Sequence, residues 1–117
     1  MTNVVIYHNP RCSKSRQTLA LLQERGIAPE QVLYLETPPA PAELRRLLKR
    51  LNLSARDLLR KGEAEYQALN LADNALSESQ LVEAMSEHPR LIERPIVVMG
   101  DKAVIGRPPE KVLELIS

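Results

Sequence analysis

Two short apolar runs with one amphipathic stretch between them, all within about 35 residues, restrict the start of this chain to very few folds. Val4 to Tyr7 is β-branched and fits a buried strand, which Asn9-Pro10 ends. From Ser13 the pattern turns helical. Leu19, Leu22 and Gly26 follow at helical spacing, Leu21 widens the stripe, and Gly26 stands where a helix C′ residue is expected. Val32 to Leu35 reads as a second buried strand. A strand, a helix and a strand of this size form a right-handed parallel βαβ unit. Open α/β sheets place their sites at the carboxyl ends of such strands, and there lies Cys12, the one cysteine of the chain.

Pro38-Pro39-Ala40-Pro41 is a stiff connector. Pro41 suits a first helical position, ahead of Leu44, Leu47, Leu48 and Leu51 at i, i+3, i+4 and i+7. Ser54 to Asp57 and Ser77 to Gln80 have the form of N-terminal capping boxes, the second ahead of Leu81 and Met85. His88-Pro89 stops that helix, because a residue before proline avoids the α region. The stretch from about 42 to 88 therefore reads as a mostly helical insert. Strand signals return at Ile96 to Met99 and Ala103 to Ile105 around Gly100-Asp101, a hairpin whose loop length the sequence leaves open. A last helix is expected over Glu110 to Ile116. The order βαβ, helical insert, ββα is an α/β, thioredoxin-like architecture in one domain spanning residues 1–117.

With 16 Lys and Arg against 15 Asp and Glu, the formal net charge is +1. That balance points to neither direct nucleic-acid binding nor a membrane surface, so specific charges must carry any anion recognition. No apolar segment approaches membrane-spanning length, and Met1 to Ile6 lacks the basic and apolar regions of a secretory signal. One cysteine cannot close an internal disulfide, and a reducing, cytoplasmic setting is expected.

A thiol at a strand-to-helix turn meets the partial positive charge of the helix N-terminus, and Arg11, Lys14 and Arg16 stand close in sequence, so thiolate is favoured over thiol. In a Cys-x-x-Cys redox motif a second sulfur would occupy the position of Ser15. An oxidised or derivatised Cys12 must then be released by an outside thiol. Ser15 is either an ordinary helix residue or a hydroxyl that hydrogen-bonds the thiolate. His8 either lowers the thiol pKa as a cation or orients a neighbour as a neutral ring. The two histidines and one cysteine lack metal-ligand spacing. Arg94-Pro95 stands directly before one strand and Arg107-Pro108 directly after another, while Arg60 lies in the insert. Guanidinium forks match tetrahedral oxyanions, and a thiolate beside them suits attack on such an anion. The Cys-x5-Arg spacing of cysteine phosphatases is not met, since Thr18 takes the arginine position.

The segments Ile6 to Arg16, Leu33 to Pro39, Leu58 to Lys61, Glu93 to Val98 and Gly106 to Pro108 together resemble the glutaredoxin-coupled arsenate reductase family. The resemblance implies a thioredoxin-like fold and the reduction of arsenate to arsenite. It assigns Cys12 as the nucleophile, His8 and Ser15 as residues that set the thiolate, and Arg60, Arg94 and Arg107 as the oxyanion-binding set. It implies glutathione as co-substrate, glutaredoxin as the protein partner and no bound cofactor. A cis proline facing the thiol, at Arg94-Pro95, belongs to the fold so implied. Two other readings stay open: a redox regulator or adaptor that binds RNA polymerase, and a monothiol oxidoreductase acting on glutathione mixed disulfides. The arginine set discriminates, because disulfide exchange needs no three guanidinium groups.

Overall fold

A computed structural model describes residues 3–116. In chain order the first elements are β1 (Val4–Tyr7), α1 (Ser13–Glu24), β2 (Glu30–Val32), α2 (Pro41–Leu51), α3 (Ala55–Leu58) and α4 (Ala64–Ala68). They are followed by α5 (Glu78–Glu87), a 3-10 turn (Pro89–Leu91), β3 (Ile96–Met99), β4 (Lys102–Ile105), a second 3-10 turn (Pro109–Lys111) and α6 (Val112–Ile116). The chain divides into two compact units, one from the residues up to Thr37 with those from Arg94 onward, the other Pro38–Glu93.

The first unit holds a four-stranded sheet in the order β2-β1-β3-β4. β1 runs parallel to β2, while β1 with β3 and β3 with β4 are antiparallel. This is the thioredoxin-like topology that the element order implied. Ile6, Leu22, Val97 and Val112 are fully buried in its core, bringing together β1, α1, β3 and α6. Each such side chain contributes about 1.5 to 3 kcal/mol by leaving water. α1 ends in a Schellman motif. Gly26, at φ 76°, donates its N–H to the Gln23 carbonyl, and the Ile27 N–H reaches the Leu22 carbonyl. The hairpin closes in two residues, Met99 pairing with Lys102, and Gly100 takes φ 66° at the first loop position.

One strand sits elsewhere than expected. β2 is Glu30–Val32 and not Val32 to Leu35. It is an edge strand, so Glu30 and Gln31 are solvent-exposed and carry no apolar signal. The apolar residues that follow form a turn, in which the Glu36 and Thr37 N–H groups donate to the Leu33 carbonyl. Tyr34 is buried from that turn.

The second unit is helical, as expected for residues 42–88. Leu44, Leu47 and Leu48 on α2 are buried, as are Leu81, Val82 and Met85 on α5, and α2 packs against α5. Pro41 opens α2, and Asn52 at φ 58° closes it. Both capping boxes form, Ser54 with Asp57 and Ser77 with Gln80. His88 leaves helical geometry ahead of Pro89.

Candidate active site

Cys12 is the N-cap of α1, with extended backbone at φ −94° and ψ 123°. Its carbonyl accepts the first helical bond, from the Arg16 N–H at 3.0 Å. Its sulfur stands where a capping oxygen otherwise would. The side chain is only 8% exposed. Burial alone pushes the thiol pKa up, but the Ser15 N–H, the Arg94 charge, the Lys14 N–H and the Arg107 charge together outweigh it, and the pKa falls below the ordinary thiol value.

The charges that act on the sulfur thus arrive from the far end of the chain. Arg11, Lys14 and Arg16, expected to do this, are solvent-exposed. The Arg16 guanidinium donates instead to the Pro10 carbonyl at 2.9 Å. Sequence neighbours on a helix N-terminus spread around its axis, and these three turn outward to water.

Arg107 comes closest. One terminal nitrogen lies 3.7 Å from Cys12 Sγ, while its Nε donates to the Arg94 carbonyl at 2.8 Å. The fork is therefore held at its Nε edge by the loop before β3 while its tip faces the thiol. The Arg94-Pro95 peptide is cis, as expected, and so is Arg107-Pro108, which the sequence did not announce. Both loops meet α1 through Gly106. A Cβ on that residue would lie 2.5 Å from Thr18 Oγ1 and 3.0 Å from Pro95 Cγ, so only glycine allows the approach. Thr18 is fully buried and donates its hydroxyl to the Lys14 carbonyl at 2.8 Å. In the sequence Thr18 figures only at the arginine position of Cys-x5-Arg and Gly106 only within a family-like segment; the fold brings the two together.

His8 and Ser15 are both buried, with Nδ1 and Oγ 2.6 Å apart. Burial, and then the Arg16 charge, lowers the His8 pKa below its ordinary value, so the ring is neutral at physiological pH. Ser15 Oγ also accepts the Asn9 N–H at 3.0 Å. The hydroxyl keeps its proton and a second lone pair, so it serves His8 Nδ1 in either ring tautomer. The lowered pKa favours the neutral orienting ring over the imidazolium. Ser15 reaches the sulfur through its backbone N–H, not through its hydroxyl.

Arg60 belongs to the second unit. Its N–H donates to the Leu91 carbonyl at 2.8 Å, and its guanidinium pairs with Glu63 and lies 3.9 Å from Glu93. Arg90 shares Glu63 from the other side at 3.6 Å. Among the described residues, no group of three or more His, Cys, Asp or Glu side chains is placed to hold a metal ion.

The sequence pattern of the ArsC family matches residues 7–115. The chain belongs to the ArsC family. Over 97% of its length it is 62% identical to the Escherichia coli K12 protein YfgD, covering 97% of that protein. It is 51% identical to an arsenate reductase of Haemophilus influenzae, covering 97% of this chain and 99% of that one. An arsenate reductase structure from Vibrio cholerae superposes with a TM-score of 0.95 at 57% identity, over 97% of each chain. Among the described residues of this ArsC protein, no helix is long and apolar enough to cross a membrane.

Proposed function

We infer that this ArsC protein reduces arsenate to arsenite in the cytoplasm, with Cys12 as its single nucleophile, glutathione as the resolving thiol and glutaredoxin as the reductant of the resulting mixed disulfide. The observation that carries the reading is the 3.7 Å approach of the Arg107 guanidinium to a thiol whose pKa is lowered. A monothiol exchanging disulfides uses only the lowered pKa, whereas an oxyanion must also be held and made electrophilic. The relatives named arsenate reductase support the same substrate.

Two steps account for the chemistry. The Cys12 thiolate attacks arsenic and an As–O bond breaks, the oxygen leaving as water, so that a Cys–S–As(V) adduct forms. Glutathione then attacks the Cys12 sulfur; an S–S bond forms, the S–As bond breaks, and its electron pair reduces As(V) to arsenite while the two thiols are oxidised to the disulfide. Arg94 and Arg107 neutralise the oxyanion during attack, and the helix N–H groups stabilise the thiolate before it. Ser15 and His8 hold the loop that carries the thiol. Arg60 is the third oxyanion ligand by its sequence motif, and Glu63 and Glu93 hold its guanidinium.

The deciding experiment couples NADPH oxidation to arsenate through glutathione reductase, glutathione and glutaredoxin, with Cys12→Ser beside the wild type. Arsenate-dependent turnover in the wild type alone is expected. Equal rates with and without arsenate would favour the adaptor or regulator reading.

A further inference from the structure

A cleft of about 310 Å³ opens at the loop that leads into Cys12, its lining including His8, Pro10, Arg11, Leu33, Leu35 and Glu36. The fold brings its two walls together. The His8 N–H donates to the Val32 carbonyl at 2.9 Å, so the loop after β1 runs alongside the turn after β2. Arg11 is fixed from below by its own N–H on Asn9 Oδ1 at 3.0 Å, and the Cys12 N–H is bound to the Asn9 carbonyl at 3.0 Å. Glu36 is held opposite by its N–H on the Leu33 carbonyl at 2.9 Å. Between them Leu35, 39% exposed, gives an apolar floor.

The charges are the informative part. Among the described residues, neither the Arg11 guanidinium nor the Glu36 carboxylate takes part in an ion pair. The cleft thus presents one cation and one anion to the same ligand. A simple oxyanion is repelled by Glu36, unlike at the Arg94 and Arg107 loops, where both charges are positive. A ligand with an ammonium and a carboxylate on one carbon satisfies both walls. Arg11 precedes the nucleophile in the chain, and adjacent Cα atoms are about 3.8 Å apart. A peptide held there by its zwitterionic end has the length to bring a thiol to Cys12.

We propose that the cleft between Arg11 and Glu36 binds the free amino-acid end of the thiol that resolves Cys12, as the γ-glutamyl end of glutathione supplies it. This deepens the reading of Cys12 as a nucleophile released by an outside thiol and rests on that reading. It makes Arg11 and Glu36 specificity residues for the thiol, distinct from the arginines for the oxyanion. Neither is among the groups that shift the Cys12 pKa, so their removal leaves the intrinsic reactivity of the sulfur intact.

The test uses the reverse exchange, which needs no arsenate: the Cys12 thiolate attacks glutathione disulfide, giving the Cys12–glutathione disulfide and one glutathione thiolate. Its second-order rate is followed by intact mass in wild type, Arg11→Gln and Glu36→Gln, beside the rate with 2-hydroxyethyl disulfide, which lacks both charges. Each substitution is expected to slow the glutathione reaction about two- to fivefold, the range for partly exposed charge pairs, and to leave the hydroxyethyl reaction unchanged. Unchanged glutathione rates in both variants would overturn the proposal. Equal slowing with both disulfides would overturn it too, since the substitutions would then act on the sulfur itself. Arsenate turnover of the wild type with glutathione and glutaredoxin is read separately: its absence, with the twofold or larger effect intact, removes the arsenate reading and leaves the thiol cleft standing.

Discussion

Gly106 approaches Thr18 so closely that a single added methyl would come within 2.5 Å of the threonine hydroxyl oxygen. That contact sets the loop carrying Arg107 against the middle of α1, three residues beyond Ser15, and the Gly106 N–H donates to the Pro95 carbonyl at 3.0 Å. One seam therefore registers both arginine loops on the helix whose N-cap is the thiol.

Gly106→Ala is expected to raise the Cys12 pKa and to lower kcat/KM for arsenate by about tenfold, because sub-ångström displacement of a charged donor forfeits most of a charge-assisted hydrogen bond. Shortening the opposing side chain makes room. The double variant Gly106→Ala with Thr18→Ala should recover thiol reactivity that the single variant loses, measured by iodoacetamide alkylation against pH. No recovery would mean that the seam does not position Arg107.

Arg107→Lys keeps the charge and loses the fork, including the Nε donor to the Arg94 carbonyl. Arsenate kcat/KM should fall by about ten- to a hundredfold, the worth of one hydrogen bond to a charged group, while the melting temperature stays close to wild type. Steady-state kinetics and a thermal melt check both halves.

Ser15→Ala removes the partner of the half-buried Asn9 N–H and of the buried His8 Nδ1, the latter alone worth about 1 to 3 kcal/mol when left unsatisfied. The backbone N–H that acts on the sulfur remains. Denaturant unfolding should therefore show a large loss of stability, and the alkylation pH profile of Cys12 only a small change. The opposite pattern would restore a hydroxyl-to-thiolate bond.

The Cys12 pKa is lower in the folded protein than in an unfolded chain, so across the interval between the two values the unfolded state binds more protons. Stability gained from the thiolate is complete above the ordinary thiol value and is lost as pH falls through the folded one. The stability difference between wild type and Cys12→Ser should accordingly grow as pH rises through that window, measured by chemical denaturation at a series of pH values. His8, also lowered, shifts stability in the same sense in its own window: its contribution is complete above the ordinary imidazole value and fades as pH falls.

Local chemistry was enough to determine much of this protein from its residues alone. Capping boxes at Ser54 and Ser77, the proline start of α2, the glycine stop after α1 and the period-3.6 leucines of α2 involve partners within a few positions, so their geometry is written in the sequence. The same holds for the thiol at the head of a helix. β2 was misplaced because an edge strand needs backbone partners on one side only and carries no apolar stripe, while Tyr34 made the neighbouring turn look buried. The charges on Cys12 were beyond sequence reading for a related reason. Arg11, Lys14 and Arg16 are near it along the chain, yet a helix start splays them into water. Arg94 and Arg107, more than 80 residues away, reach it because β3 pairs back onto β1 and β4 onto β3. Which cations face a thiol, and which glycine must be small to let them, is decided by the register of strands that no local signal encodes.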